Sequence, residues 1–384
     1  MREVVIVEAV RTPVGKRKGL LSSVRPDELA AKVLKELVDR AGISPGLVQD
    51  VILGCVSQVE EQGLNIARTA ALMADFPIHV PGTTLDRQCG SGQQAIHFAS
   101  QAILSGDMDI VIAGGVESMT RVPLGSSCQK SDWSESLTSR YEIIHQGLSA
   151  ERIADLWGFT RTQLDKFSIE SHNRALKAQE EGRFDREIMP IEVTMEDGTS
   201  VVVKQDEGPR KGSTIEKLAT LKTVFKEDGK IHAGNASQMS DGAAAMLLMS
   251  KEKAEELGLK PRFRIVARSV VGSDPTLMLT GPIEATKQVL AKAGLTIEDI
   301  DTYEVNEAFA PVPMCWLEEI KADPKKLNPN GGAIALGHPL GATGAKLMIS
   351  MMHELERTGG RFGLQAICEG GGMANGTIIE RIRE

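Results

Sequence analysis

Two cysteines followed by glycines lie almost the whole chain apart, and a histidine in a glycine turn precedes the second one. Cys89 begins the run CGSG, Cys368 begins CEGGG, and His338 stands between Gly337 and Pro339. A thiol is a useful nucleophile only as thiolate, which forms beside a basic histidine or at a helix N-terminus. These residues therefore supply a candidate nucleophile, a candidate base and a second thiol.

Each of these residues also has an ordinary structural explanation. A lone cysteine is most often a small buried hydrophobic residue, and a lone histidine is most often structural. The glycines around Cys89 and His338 favour tight turns that present a side chain over core positions. Cys368 precedes three glycines that allow close approach of the backbone. Asn306 follows a predicted strand at 302–305, where the cap of a helix is an equally good interpretation.

The elements around Cys89 predict a strand-to-helix turn. Residues 82–86 read as a short strand, and residues 93–104 place apolar side chains at helical spacing. Unpaired N–H groups and the helix dipole favour a negative charge at such a turn. The first third of the chain alternates strands and helices, which predicts a mainly parallel sheet covered by helices. The strands are predicted at 4–10, 51–56 and 109–113, and the helices at 26–41 and 64–74.

The C-terminal third repeats this scheme. Residues 30–51 resemble residues 285–303, and residues 112–115 match residues 368–371 at nearly the same spacing. In this register the Cys89 turn corresponds to the turn at 337–338, which suggests two duplicated α/β halves. Residues 118–235 between the halves are polar and rich in charge, and they are interpreted as an insertion into the first half.

Composition and charge exclude several classes of protein. The chain has 384 residues, of which 41% are hydrophobic, and a formal net charge of -8. This charge argues against a nucleic-acid or membrane-surface binder. The five cysteines are scattered and form no C-x-x-C pair, so neither a disulfide framework nor a zinc site is indicated. No charged leader and no long apolar run is seen, and we expect a cytoplasmic location.

Seven segments in order resemble the thiolase family, the acyl-CoA C-acyltransferases, over essentially the full length of the chain. These segments are RTPVGK at 11–16, CGSG at 89–92, AGGVESM at 113–119, NAS at 235–237 with DGAA at 241–244, NEAFA at 306–310, GGAIALGHP at 331–339 and CEGGG at 368–372.

The resemblance implies an α/β protein with the thiolase fold. In that fold two duplicated halves form a five-layer αβαβα sandwich, and a loop domain inserted in the first half covers coenzyme A. The expected divisions are an N-terminal half at 1–117 and 236–263, the inserted domain at 118–235, and a C-terminal half at 264–384.

The resemblance also implies the catalytic roles. Cys89 is the nucleophile that attacks the keto carbonyl and holds the acyl thioester, and His338 takes its proton. Cys368 is the acid and base at C2 of the acetyl unit. Asn306 holds a water that stabilises the thioester oxygen together with His338. The backbone N–H groups of Cys89 and Gly370 stabilise the keto oxygen, so two oxyanion holes are expected.

For ligand binding, the resemblance places Arg210 near the nucleotide of coenzyme A. It places Phe225, Ser237, Phe309 and Leu148 along the pantetheine path. Coenzyme A is a substrate in this reaction, and neither a cofactor nor a metal is expected. The glycine-rich runs do not spell G-x-G-x-x-G before a helix, so NAD binding is not predicted.

Two positions depart from the commonest family pattern. Gln146 follows His145 where many short-chain, biosynthetic members have methionine, and Glu369 stands where a small or apolar residue is usual. The run CGSGQQ at 89–94 and the ending GTIIERI at 376–382 resemble degradative thiolases, which favours thiolysis of a medium or bulky 3-ketoacyl-CoA. Gln146 and a shortened loop at 126–141 predict an acyl preference that extends beyond four carbons. The products are acetyl-CoA and a shortened acyl-CoA, formed through an acylated Cys89.

Two alternatives stay open at this point. One is an acetyl-CoA acetyltransferase that condenses two acetyl-CoA into acetoacetyl-CoA. The other is a thiolase-like protein that binds acyl-CoA or lipid without catalysis, against which the filled catalytic positions argue. A ketoacyl synthase would lack a second catalytic cysteine, so Cys368 argues against it. The partners expected are acyl-CoA and coenzyme A, with no nucleic acid and no membrane, and the chain is expected to form a homodimer or homotetramer.

Overall fold

The structure is a computed structural model that describes residues 2–128, 132–195 and 197–383. Residues 129–131, within the loop expected to be shortened, lie outside the described residues. In the described ranges the strands are β1 Val4–Arg11, β2 Gly15–Lys16, β3 Asp50–Gly54, β4 Gly82–Leu85, β5 Ile110–Ser118, β6 Ile191–Thr194, β7 Ser200–Val203, β8 Ser240–Ser250, β9 Phe263–Gly272, β10 Thr302–Val305, β11 Phe362–Glu369 and β12 Met373–Arg381. The helices of these ranges are α1 Pro26–Ala41, α2 Ile66–Met73, α3 Ser91–Ser105, α4 Glu135–Thr138, α5 Gln146–Leu156, α6 Arg161–Glu180, α7 Ile215–Ala219, α8 Lys251–Glu256, α9 Gly281–Ala293, α10 Pro311–Ile320, α11 Ala333–Leu336 and α12 Leu340–Thr358.

One large sheet shows the duplication directly. Its strand order is β10-β11-β12-β9-β1-β8-β5-β3-β4, with β2 added beside β8. From the middle outwards, the strand order on one side is β1, β8, β5, β3, and the equivalent order on the other side is β9, β12, β11, β10. The two halves meet where β1 pairs with β9, at Val5 with Arg264 and Ile6 with Phe263. The predicted repeat is therefore confirmed by the topology.

The sheet is mixed, and the expectation of a mainly parallel sheet was wrong. The strand β3 runs parallel to β4 and β5, and β10 runs parallel to β11. The strands β8 and β12, however, return antiparallel to β5 and β11. The turn between β11 and β12 is only the glycine run 370–372, and so tight a connection allows only antiparallel pairing.

Helices on both faces complete the five layers. The helices α1 and α2 cover the outer face of the first half, and α9 covers that of the second half. Between the halves, α3 and α12 pack on each other and on the inner face. Ile96, Met348 and Met352 belong to the fully buried core of this middle layer. The fold class predicted from the sequence is confirmed.

The inserted segment of the first half takes the place of a short turn in the second half. In the second half, residues 370–372 alone join β11 to β12, whereas residues 119–239 join the equivalent strands β5 and β8. This longer connection contains α4 to α7 and the β6–β7 hairpin. The exact domain boundaries stay a prediction. Among the described residues, no helix is both long and apolar enough to span a membrane.

Candidate active site

The starts of α3 and α12 are pressed together in the middle layer. A Cβ on Gly92 would lie 2.7 Å from the carbonyl oxygen of Gly341, and a Cβ on Gly344 would overlap the backbone nitrogen of Gln93. Only glycine permits such a close approach of two helix backbones. The turn before α3 carries Cys89 and the turn before α12 carries His338, each two residues ahead of its helix. The duplicated halves thus bring their two turns to one place.

The Cys89 turn is held by its own short hydrogen bonds. The Ser91 hydroxyl accepts from the backbone N–H of Arg87 at 2.8 Å and donates to the carbonyl of Gln88 at 2.6 Å. Gln88 has a φ of 49°, in the left-handed region that non-glycine residues rarely adopt. Such strain directly before a reactive residue is typical of functional turns.

The Cys89 thiol is neutral at rest. Burial and the carboxyl of Glu369 raise its pKa to about 12. The backbone N–H groups of Cys89 and Gly370 act in the opposite direction and lower this pKa, because they hydrogen bond to the sulfur. The effect of burial on the pKa of Cys89 is therefore larger than that of the helix N-terminus. The sequence had predicted a thiolate from the helix N-terminus alone. The thiol must lose its proton during the reaction and not before it.

His338 is held as a neutral base in one tautomer. Its Nδ1 lies 2.6 Å from the Thr343 hydroxyl, which donates to the carbonyl of Pro339. Thr343 consequently accepts the Nδ1 proton, and Nε2 is left as the acceptor. Nε2 lies 3.3 Å from the amide nitrogen of Asn306. Burial, with a contribution from the charge of Lys346, lowers the pKa of His338 to about 3.

The second thiol lies beside the first. Cys368 is fully buried near the end of β11, and burial raises its pKa, with further contributions from Cys89 and Glu369. Cys89 shares an apolar cluster with Ile367 and Leu340, the neighbours of Cys368 and His338. The structure therefore places the predicted catalytic residues in two groups around the point where the two turns meet. Cys89 lies with Cys368 and Gly370, and His338 lies with Asn306.

Four of the five predicted ligand-binding residues form one wall next to this point. The ring of Phe225 stacks on His145 at 4.9 Å between centroids and meets Phe309 edge-on at 6.0 Å. The backbone N–H of Ser237 donates to the carbonyl of Ala308 at 2.9 Å. Ala308 directly precedes Phe309 in the chain. Leu148 follows Gly147, on which the Phe225 ring packs.

Arg210 is apart from this wall. Its backbone N–H lies 3.2 Å from Nδ1 of His172 in α6, and its carbonyl accepts from Ser213. Among the described residues no hydrogen bond, ion pair or ring contact joins Arg210 to the aromatic wall. The assignment of Arg210 to the nucleotide therefore stays a prediction.

A groove of mixed charge, with three basic and two acidic lining residues, borders the wall and was missed by sequence reasoning. It has a volume of about 700 Å³ and is lined by residues 221–229 with Arg161. Lys222 and Lys226 flank Phe225 in this lining. The signal in the sequence was the spacing KTVFK, which places an aromatic residue between two lysines.

Two buried carboxylates hold the site in place. Both lie inside motifs that carry the family resemblance, but no role was predicted for either carboxylate. Glu117 accepts from the backbone N–H groups of Val56, Ser57 and Gly341 at 2.9 to 3.0 Å. It thereby ties the end of β5 to the start of α12. A charged residue within the apolar run AGGVESM was the available signal.

Glu307 ties the loop of Asn306 to the loop that precedes His338. Its carboxylate accepts from the side-chain amide of Asn328 at 2.9 Å and from the backbone N–H of Ile334 at 3.2 Å. Both carboxylates are fully buried with several donors each. They hold these loops in place, and the carboxylate of Glu117 also accepts from the thiol of Cys55 at 3.9 Å.

Two family models together cover nearly the whole chain. The thiolase N-terminal domain matches residues 4–252, and the thiolase C-terminal domain matches residues 259–381. The chain belongs to the thiolase family. Within its described ranges, no group of three or more histidine, cysteine or carboxylate side chains could hold a metal ion.

Known thiolases resemble this one over their full lengths. The steroid 3-ketoacyl-CoA thiolase FadA6 of Mycobacterium tuberculosis is 50% identical, over 100% of this chain and 95% of its own length. The 3-ketoacyl-CoA thiolase of Bacillus subtilis is 44% identical, over 99% of this chain and 100% of its own. The crystal structure of the Bacillus anthracis acetyl-CoA acetyltransferase has a TM-score of 0.92 and 43% identity, covering 100% of this thiolase and 99% of that chain.

Proposed function

We propose that this thiolase cleaves a 3-ketoacyl-CoA with coenzyme A, giving acetyl-CoA and an acyl-CoA shortened by two carbons. One observation carries the proposal. Two buried thiols lie near each other, and two backbone N–H groups point at the sulfur of one of them. The sulfur of Cys89 accepts from the N–H groups of Cys89 and Gly370, and the thiol of Cys368 lies within its electrostatic range. Relatives named 3-ketoacyl-CoA thiolase support the same reaction.

In the first step, the sulfur of Cys89 attacks C3 of the substrate while Nε2 of His338 takes the thiol proton. The keto oxygen becomes an oxyanion that accepts from the N–H groups of Cys89 and Gly370. Each well-placed donor of this kind lowers a barrier by about 2.7 to 4 kcal/mol. The neutral resting state of both side chains fits this order of events, because the proton moves only when the carbon–sulfur bond forms.

In the second step, the bond between C2 and C3 breaks and acetyl-CoA leaves as an enolate. The thiol of Cys368 gives its proton to C2. The thioester oxygen is stabilised by His338 and by a water held on Asn306, whose Oδ1 is buried without a partner among the described residues. The thiol of coenzyme A then gives its proton to the Cys368 thiolate and attacks the acylated Cys89. The sulfur of Cys89 leaves with the proton held by His338, and the shortened acyl-CoA is released.

Coenzyme A is proposed to lie along the aromatic wall of Phe225 and Phe309, with Ser237 and Leu148 beside the pantetheine. Its phosphates carry negative charge, and Lys222 in the groove supplies a positive charge next to that path, whereas Lys226 is paired with Asp155 at 3.3 Å. Arg210 is proposed to contact the nucleotide. Neither a metal nor a separate cofactor takes part in these steps.

A homodimer or homotetramer is proposed for the assembly. Among the described residues β4 pairs only with β3, so it leaves one edge of the large sheet available for a second copy. A cytoplasmic location is also proposed. Its support is that four cysteines are buried and form no disulfide, as expected in a reducing compartment. These are Cys55, Cys89, Cys315 and Cys368.

Condensation of two acetyl-CoA is the second candidate, because a solved structure that resembles this chain is an acetyl-CoA acetyltransferase. Initial thiolysis rates over a panel from acetoacetyl-CoA to long-chain and ring-bearing 3-ketoacyl-CoA distinguish the two. The proposal expects turnover of the longer substrates. Activity confined to acetoacetyl-CoA would favour the second candidate, and no turnover of the whole panel would favour a non-catalytic binder.

A further inference from the structure

Glu369 is a fully buried carboxyl directly behind the nucleophile turn. It is the last residue of β11, and its Oε1 lies against the backbone of Gly90, where a Cβ would overlap it. Gly90 follows Cys89, and Gly370, whose N–H faces the sulfur, follows Glu369. The carboxyl thus packs against the turn that carries the reacting sulfur.

Neither oxygen of this carboxyl has a hydrogen-bond partner among the described residues. The guanidinium of Arg87 is close, yet its Nη1 approaches the sulfur of Met373, at 3.6 Å, and not the carboxyl. A carboxylate buried without a partner is very costly, so the group remains the neutral acid. A buried unpaired group next to a catalytic turn calls for a specific explanation.

We propose that Glu369 controls the reactivity of Cys89 through its own proton. As the neutral acid, Glu369 leaves the sulfur free to ionise and the keto oxygen free to become an oxyanion. As a carboxylate, it opposes both negative charges and suppresses the reaction. Glu369 is therefore an electrostatic positioning residue that acts through Cys89 and does not touch the substrate.

The surrounding charges agree with this behaviour. Burial raises the pKa of Glu369 to about 8, Arg87 lowers it and Asp86 raises it. A carboxylate consequently appears as the pH rises through about 8, and its charge raises the pKa of both Cys89 and Cys368. The titratable groups on the elements around Glu369 are Asp86, Arg87, Cys89, Cys368 and, on α3, the buried His97.

The test compares alkylation of Cys89 by iodoacetamide in the wild type and in E369Q, at about pH 7 and about pH 9.5. Glutamine has the shape of the neutral acid and cannot ionise. The label is measured by mass on the Cys89 peptide, so the exposed Cys128 does not contribute. Glu256→Gln, which removes one exposed carboxylate on α8, is the matched control.

The ratio of the E369Q rate to the wild-type rate is expected to rise about tenfold between the two pH values, the effect of one pKa unit. The control variant is expected to follow the wild type at both. If the ratio of the two alkylation rates is the same at both pH values, Glu369 does not control the reactivity of Cys89 and the proposal is overturned. Glu369→Met, similar in volume and without a charge, replaces glutamine if E369Q does not fold.

The inference rests on the proposed function only where it predicts the pH dependence of thiolysis. Alkylation needs no substrate, so a shift in alkylation without any thiolysis would contradict the proposed reaction and leave the role of Glu369 standing. When thiolysis is present, kcat/KM of E369Q is expected to keep rising above pH about 8, where that of the wild type levels off. A parallel pair of profiles would count against the inference.

Discussion

Nδ1 of His338 and the hydroxyl oxygen of Thr343 lie 2.6 Å apart at the start of α12. The same hydroxyl donates to the carbonyl of Pro339, at 2.8 Å, so it accepts the proton of the imidazole. The candidate base is therefore oriented by a neutral hydroxyl from its own helix and not by a carboxylate. This arrangement keeps Nε2 as the acceptor without a carboxylate that would stabilise the protonated imidazole.

Replacing Thr343 by valine keeps the shape of the side chain and removes the acceptor of the Nδ1 proton. The imidazole can then turn or change tautomer, so we expect kcat for thiolysis to fall by about ten- to a hundredfold, part of the contribution of a general base. The KM for coenzyme A should stay within about twofold, because Thr343 is not part of the aromatic wall.

Thr343→Ser is the control, since it retains the hydroxyl and should recover most of the lost kcat. A valine variant with wild-type kcat would show that the hydrogen bond does not orient the base.

Cys89→Ser should keep the fold and the binding of coenzyme A but lose thiolysis. A hydroxyl has far too high a pKa to be ionised by a single histidine. Initial thiolysis rates and calorimetric binding of coenzyme A measure the two effects. Cys128→Ser changes an exposed thiol in the same way and should leave both unchanged. Turnover at the wild-type rate by the Cys89 variant would contradict its role as nucleophile.

Cys368→Ala should separate two partial reactions. Acetyl transfer to Cys89 needs only the nucleophile, His338 and the keto-side oxyanion hole, so a mass increase on the Cys89 peptide is still expected. Deuterium exchange at C2 of acetyl-CoA and overall thiolysis should fall by about two to four orders of magnitude, the share of a general acid and base. Cys315→Ala removes another buried thiol of the same apolar cluster and is the control. Wild-type C2 exchange without Cys368 would mean that another residue serves the carbon.

Glu369→Gln should stabilise the protein at alkaline pH. The pKa of Glu369 is raised from 4.5 to about 8, so the folded state holds this proton more tightly than the unfolded state does. The stabilising effect of the neutral acid is complete below pH 4.5 and is lost as the pH rises through about 8. The variant should gain at most about 5 kcal/mol over the wild type above that range. Melting temperatures at equal protein concentration measure the gain, and an equal difference at pH 5 and pH 9 would disprove it.

Gln146→Met should shift the preference towards short substrates. The Gln146 amide nitrogen lies 2.9 Å from the place that a Cβ on Gly370 would take, next to the reacting sulfur. The bulkier, apolar side chain of methionine narrows the space for the acyl group. We expect the ratio of kcat/KM for acetoacetyl-CoA over a ring-bearing substrate to rise about tenfold, the usual effect of a small change in pocket size. An unchanged ratio would show that Gln146 does not border the acyl group.

Much of the architecture could be predicted because it depends on local patterns. The helix α1 begins at Pro26 and ends before Gly42, as proline at the first turn and a left-handed glycine at the end indicate. The turns that carry Cys89 and His338 were recognisable from their glycines, and the repeated segments predicted equivalent places for both. These turns, together with the resemblance to the thiolase family, accordingly predicted which residues are candidates for catalysis.

The charge states could not be read from the sequence. A helix start predicts a thiolate at Cys89, whereas burial raises its pKa to about 12. Desolvation depends on everything packed around the sulfur, including Glu369 from a strand nearly the whole chain away. The antiparallel return of β8 and β12 was missed for a similar reason, because strand direction depends on pairing between distant segments.

By itself, then, the sequence determined which residues stand at the turns, the order of the elements and the duplication, because turn chemistry and apolar periodicity act over a few neighbouring residues. The tertiary structure alone decided which turns meet, which tautomer His338 adopts and which acids stay neutral. Those properties arise from contacts such as Gly92 on Gly341, Thr343 on His338 and Glu369 on Gly90. Hydrogen-bond geometry and desolvation are set by atoms that only folding brings within a few ångströms.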